Sequence, residues 1–72
     1  MATAYYNDGI DIRFRQSIGQ FETLAQAKAA CIDHAKAHRA FVSIIAAEDD
    51  GNKGFDMAVQ VGSQVRLYFA DA

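Results

Sequence analysis

The sequence TLAQAKAACIDHAKAH, residues 23–38, has the composition and the start signal of an α-helix. Alanine, glutamine and lysine favour helix, and Thr23 followed by Gln26 matches a capping box, in which the two residues hydrogen-bond each other's backbone amides. An apolar stripe of mostly small residues recurs at helical spacing: Leu24, Ala27, Cys31, Ile32 and Ala35. We therefore predict one helix over residues 24–38 that lies close against a sheet.

The segments on both sides of this helix alternate apolar and polar residues, which is typical of half-buried strands. They span residues 10–18, 55–61 and 64–69, and residues 3–6 add a short apolar lead-in. Asn7-Asp8-Gly9 and Gly62-Ser63 are turn sequences, and the second begins with glycine as a type II′ turn requires. The pattern predicts one hairpin before the helix and another at the end of the sequence.

Residues 41–47, FVSIIAA, are almost continuously apolar and β-branched, which favours a central strand. In such a strand, replacing Ile44 or Ile45 by alanine would cost roughly 2–5 kcal/mol. The element order is then β-β-α-β-β-β. The predicted fold class is α+β, with a single helix packed on one face of a mostly antiparallel sheet of four or five strands, and residues 1–72 form a single small domain.

Composition excludes several classes of protein. A sequence of 72 residues is too short for a two-domain enzyme, a dinucleotide-binding fold or a barrel. A net charge of −2 is not the basic footprint of a duplex-binding protein, and no apolar run reaches membrane-spanning length. Residues 1–5 lack the basic start and the apolar stretch that are typical of a secretory signal. The single cysteine rules out an internal disulfide. We expect a cytoplasmic domain without a membrane partner.

One helix covers only one side of a sheet, so the other side and the two edges are open to a partner. We expect this open side to carry a mixed polar and aromatic interaction face: Arg13, Arg15, Asp56, Gln60, Arg66 and Tyr68. The first hypothesis is a non-catalytic protein–protein interaction module, such as an adaptor, a small subunit or a phage-type inhibitor of a host protein complex. Its partner would be another protein, including a second copy of the chain in a homodimer.

Nucleic-acid binding is the alternative hypothesis. Open sheets bind RNA or single-stranded DNA by stacking bases on aromatic rings while arginine holds phosphate, and Arg13, Arg15, Arg66 and Tyr68 could form such a platform. The aromatic motif of the common RNA-binding sheet is absent, and Asp56 and the negative total charge weaken the field. Nucleic acid therefore stays a minority interpretation.

Metal binding is the second alternative. Cys31, His34 and His38 share a helix face, and thiolate and imidazole are good zinc ligands. Against a metal, Cys31 lies within the apolar stripe, and neither a CxxC pair nor an HExxH motif is present. The sequence also lacks a catalytic triad, converging carboxylates and a cofactor fingerprint. We therefore predict that the protein is not an enzyme and uses no cofactor.

Overall fold

A computed structural model of the protein describes residues 1–8, 15–50 and 53–72. The elements are β1 (Ala2–Asp8), β2 (Gln16–Phe21), α1 (Leu24–Ala37), β3 (Phe41–Asp49), β4 (Gly54–Val61) and β5 (Gln64–Asp71). The strands form one antiparallel sheet in the order β2-β1-β5-β4-β3. The predicted α+β fold and its element order β-β-α-β-β-β are confirmed.

Helix α1 begins at the predicted capping box. Thr23 Oγ1 accepts a hydrogen bond from the Gln26 amide at 3.2 Å, and Gln26 Oε1 accepts one from the Thr23 amide at 3.3 Å. Ala27, Cys31 and Ala35 of the predicted stripe are buried. Among the described residues, no helix combines the length and the apolar character needed to cross a membrane.

The helix covers only part of the sheet. It lies over β1, β2 and β5 and touches β4 and β3 much less. The core forms where these layers meet, and its buried apolar residues are Ala2, Ala4, Ala27, Cys31, Ala35, Phe55, Met57, Val59, Tyr68 and Ala70. The side of the sheet that faces α1 is called the helix side below, and the opposite side is called the open side.

Strand β3 is an edge strand, so the prediction of a central strand at residues 41–47 is wrong. In the described ranges it pairs with β4 alone, and Val42, Ile44 and Ile45 are 62%, 42% and 53% exposed. Its register shifts twice against β4, between Phe41 and Ser43 and between Ile44 and Ala46. An apolar run signals a central strand only when neighbours cover it, and a single helix over the opposite half of the sheet leaves β3 uncovered.

The two predicted hairpins differ in outcome. Gly62 has a φ of +59°, and the Gly62-Ser63 turn joins β4 to β5 as predicted. In the first hairpin, Gly9 and residues 10–14 lie outside the described residues. The part of its second strand that is described, β2, continues to Phe21, beyond the predicted end at residue 18.

Candidate functional site

The predicted interaction face is divided between the two sides of the sheet. Asp56 and Gln60 alternate with the buried Met57 and Val59, so they lie on the open side as expected. Arg15 also lies there, against the rings described below. Arg13 lies outside the described residues.

Arg66 and Tyr68 lie on the helix side, so their assignment to the open face is wrong. They are only 7% and 0% exposed. The sequence pattern assigned the apolar set of β5 (Val65, Leu67 and Phe69) to the core, yet Val65 is 43% exposed. The physical reason is a polar network under α1 that satisfies the hydrogen-bonding groups of Arg66 and Tyr68 and so permits their burial.

This network joins α1, β1 and β5. Tyr68 Oη lies 2.7 Å from His34 Nδ1 and accepts a hydrogen bond from Arg66 Nη1 at 3.2 Å. Arg66 makes a two-point ion pair with Asp8, with Nε–Oδ1 at 2.5 Å and Nη2–Oδ2 at 3.1 Å. The Tyr6 ring lies 4.7 Å from the His34 ring centre and 4.7 Å from Arg66 Cζ. A chain of paired groups therefore runs from the sheet into the helix.

The protonation states of the network favour a structural role. Burial raises the pKa of the Tyr68 hydroxyl, against the hydrogen bond and charge of Arg66, which lower it. Burial, assisted by the Arg66 charge, lowers the pKa of His34. Both shifts stabilise the neutral forms. Since the Tyr68 oxygen already accepts from Arg66, a neutral hydroxyl is free to donate to an unprotonated His34 Nδ1. The network thus stabilises the packing of α1 on the sheet.

An aromatic pair with an arginine occupies the β1 end of the open side. The Tyr5 and Phe69 rings stack with centres 5.4 Å apart, and Arg15 Cζ lies 4.8 Å and 4.9 Å from these two centres. The Tyr5 hydroxyl also accepts from Arg15 Nη1 at 3.0 Å and donates to Asp71. Burial and the Asp71 contact raise the pKa of Tyr5 to about 12. Tyr5 is therefore neutral, and its hydroxyl is already paired with Arg15 and Asp71.

This geometry weighs against the nucleic-acid alternative. A base-binding sheet needs free aromatic faces and unpaired arginines. Arg15 already lies against the rings of Tyr5 and Phe69, and Arg66 is buried in its ion pair with Asp8. In the described ranges, no residue of the predicted nucleic-acid platform offers a free surface on which a base could stack.

A shallow groove crosses the open side over β3, β4 and β5. Ala46, Ala58 and Leu67 are cross-strand neighbours in register, and the two small side chains leave the floor of the groove low. Glu48 and Asp56 line the groove beside this apolar floor. The groove includes Ala46 and Ala47, which directly follow the exposed Ile45 in β3. We call strand β3 together with this groove the outer flank.

Hydropathy alone does not reveal the outer flank, because it indicates a buried position for β3. A signal for its position was available in the connections. Only short segments separate β3 from β4 and β4 from β5. Short connections between antiparallel strands favour a meander with the middle strand inside, which places β4 inside and leaves β3 free to be an edge.

The structure does not assemble Cys31, His34 and His38 into a metal site. The fully buried Cys31 Sγ donates to the Phe69 carbonyl at 3.4 Å, and His34 Nδ1 is engaged in the network. His38 Nδ1 accepts from the Ala40 amide at 3.2 Å. Within residues 1–8, 15–50 and 53–72, no group of three or more His, Cys, Asp or Glu residues could hold a metal ion.

Comparison with known proteins adds no relative. No protein-family model, curated protein or solved structure matches the sequence. A function for this protein therefore has to be argued from its own residues and geometry.

Proposed function

We propose that this protein is a non-catalytic interaction module that binds another protein through its outer flank. The observation that carries the proposal is the exposure of Val42, Ile44 and Ile45, at 62%, 42% and 53%, on a single edge strand. A cluster of aliphatic side chains in water is a common mark of a contact surface. An edge strand also presents backbone groups that another chain can bind.

The rest of the molecule supports this choice of surface. On the helix side, the apolar stripe of α1 is already buried and the polar groups of Arg66 and Tyr68 are paired. On the open side, the Tyr5 ring stacks on Phe69, and Arg15 donates a hydrogen bond to the Tyr5 hydroxyl. Three of the five large apolar side chains that are exposed in the described ranges lie on the outer flank, namely Val42, Ile44 and Ile45, so a partner gains most apolar contact there.

Two register shifts against β4 make β3 an irregular edge. An irregular edge offers a poorer backbone ladder to another strand, which protects it from open-ended strand addition. We therefore expect side-chain packing on Val42, Ile45 and the groove to carry most of the contact. Adaptor, small subunit and inhibitor are all forms of such a module. The single buried thiol of Cys31 fits the reducing cytoplasm that we propose as its compartment.

Site-specific photocrosslinking tests this proposal. A benzophenone amino acid replaces Val42 on the outer flank in one variant and Asp33, an exposed residue of α1, in the matched control. In cells that produce the protein, position 42 should give a discrete protein adduct on illumination and position 33 should not. Ile45→Glu should abolish the adduct, because a charge then lies at the centre of the contact.

Two results would contradict the proposal. One is the same faint set of adducts from both positions, which indicates random collisions. The other is an adduct from position 42 that persists in the Ile45→Glu variant. Circular dichroism of each purified variant confirms that the fold is retained before the adducts are compared.

A further inference from the structure

We infer that the partner of the outer flank is a second copy of this chain, placed so that the two β3 strands run antiparallel about a two-fold axis. The inference rests on the proposed function and names its partner. The supporting observation is the arrangement of charge along β3. When a second β3 runs in the opposite direction beside the first, opposite charges lie next to each other.

Opposite charges lie at the two ends of β3. Arg39 precedes the strand, Glu48 and Asp49 end it and Asp50 follows it, and all are exposed. Across a two-fold axis, if residue i faces residue j then j also faces i. When the midpoint lies at Ile44 or half a residue to either side, Arg39 of one copy faces Glu48, Asp49 or Asp50 of the other.

A parallel arrangement would not have this property. It would place Arg39 beside Arg39 and Glu48 beside Glu48, and like charges that face each other are destabilising. The charge pattern therefore selects the antiparallel orientation, and it tolerates a one-residue uncertainty in register because three consecutive residues carry carboxylates.

The apolar residues lie where this symmetry needs them. With the midpoint near Ile44, the exposed Val42, Ile44 and Ile45 of both copies meet at the centre, between the charged ends. A packed apolar centre inside a charged rim is the usual anatomy of a protein interface. Burying these side chains in the dimer removes the largest exposed aliphatic cluster on the described surface.

The opposite edge of the sheet explains why the assembly would stop at two copies. Strand β2 has six residues, and Gln16, Ser17 and Gln20 among them are polar and exposed. Short polar edges resist pairing. When the β3 strands of two copies contact each other, both copies bury their outer flanks. No outer flank is then left to bind a third copy, so the assembly is a closed dimer.

Charge reversal combined with sedimentation equilibrium tests the inference. Glu48 and Asp50 are the acidic targets, because Asp49 already pairs with Lys28 at 2.5 Å within its own chain. Arg39→Glu makes both ends of β3 acidic and Glu48→Arg/Asp50→Arg makes both ends basic, so each variant should weaken dimerisation by roughly tenfold or more. The triple variant Arg39→Glu/Glu48→Arg/Asp50→Arg should recover affinity to within about threefold of the original, because its reversed pattern is again self-complementary.

Mixing Arg39→Glu with Glu48→Arg/Asp50→Arg gives an independent readout. The first variant carries two acidic ends and the second two basic ends, so a heterodimer should form while each variant alone stays largely monomeric. Lys36→Glu, an exposed charge reversal on α1, is the matched control and should leave the dimer unchanged. Ile45→Glu should abolish dimerisation by placing two charges at the apolar centre.

The inference is overturned if the unmodified protein stays monomeric up to about 1 mM. A dissociation constant of that size corresponds to a binding free energy of roughly −4 kcal/mol. A dimer whose affinity Ile45→Glu leaves unchanged, or that the triple variant fails to restore, overturns it as well. The photocrosslinked adduct separates the two proposals. A mass of two chains supports both, a discrete adduct of any other mass keeps the proposed function and removes the second copy, and no specific adduct removes the proposed function.

Discussion

The helix-covered half of the sheet and the outer flank reverse what hydropathy alone would assign to them. Beneath α1, an arginine and a tyrosine, Arg66 and Tyr68, are almost completely buried. On the outer flank, Ile44 and Ile45 are about half exposed, at 42% and 53%. The burial of a residue therefore depends on which neighbours lie on its strand. A polar residue can be buried where partners satisfy its hydrogen-bonding groups, and an apolar residue stays exposed where none of the described elements covers it.

Removing the Tyr68 side chain from the helix-covered half should destabilise the protein most. Tyr68→Ala should cost roughly 3–5 kcal/mol of unfolding free energy, because it empties a fully buried aromatic site and removes a hydrogen-bonding partner of His34 and Arg66. Urea unfolding measures the loss. Tyr5→Ala, a half-buried tyrosine on the open side, is the control and should cost clearly less. Equal losses would show that the network adds nothing to the packing of Tyr68.

The next effect comes from the buried thiol. Burial raises the pKa of Cys31 from 9.0 to about 11. The unfolded chain therefore loses its thiol proton first, so stability present below pH 9 should fall as the pH rises towards 11, by roughly 2–3 kcal/mol. Cys31→Ala should remove this part of the alkaline decline, measured as the difference between two urea-derived stability profiles. Parallel profiles for the two proteins would contradict a buried neutral thiol.

A smaller effect is expected on the acid side of neutrality. The pKa of His34 is lowered by burial and by the charge of Arg66, so the unfolded state binds this proton more readily than the folded state. Stability should therefore fall as the pH drops below the ordinary histidine pKa of 6.5. His34→Gln removes the titrating ring and should flatten this part of the profile. NMR titration of the His34 ring should show a folded-state pKa below that of an unfolded peptide, and a pKa at or above the peptide value refutes the assignment.

Truncation of an exposed side chain on the outer flank should destabilise the protein least. Ile45→Ala should cost less than about 1 kcal/mol at concentrations where the chain is monomeric, because the side chain is 53% exposed. Val59→Ala in the neighbouring strand is the matched control and should cost more, since Val59 is fully buried. A loss of 2–5 kcal/mol for Ile45→Ala is what a central strand would give, and it would contradict the edge position.

Local signals made the helix and the last hairpin predictable. The capping box of Thr23 and Gln26 and the glycine at position 62 act within a few residues, and the structure reproduces both. The alternation of β4 was also sufficient to place Asp56 and Gln60 on the open side. A helix cap and a tight turn are determined by residues that are neighbours in the sequence, so the sequence alone is enough to predict them.

Long-range pairing could not be read in the same way. Strand β1 pairs with β5, near the other end of the chain, and this pairing brings Asp8 opposite Arg66 and Tyr6 opposite Tyr68. The network also needs His34 from the helix, so its members come from three elements that no sequence spacing connects. Hydropathy therefore chose the wrong face for β5. It placed β3 at the centre for a similar reason, because strand order depends on pairings across the whole sheet.

Thiol labelling tests most directly the claim that one copy of this chain leaves β3 uncovered. Cys31 is fully buried, so the unmodified protein supplies a nearly unreactive blank. At submicromolar concentration, Ile45→Cys should react with a thiol reagent within a few-fold of the unfolded chain, and Val59→Cys should react at least about 100-fold more slowly. Equal protection of the two introduced cysteines at that dilution would mean that β3 is covered within a single copy, and the contact surface argued above would not exist.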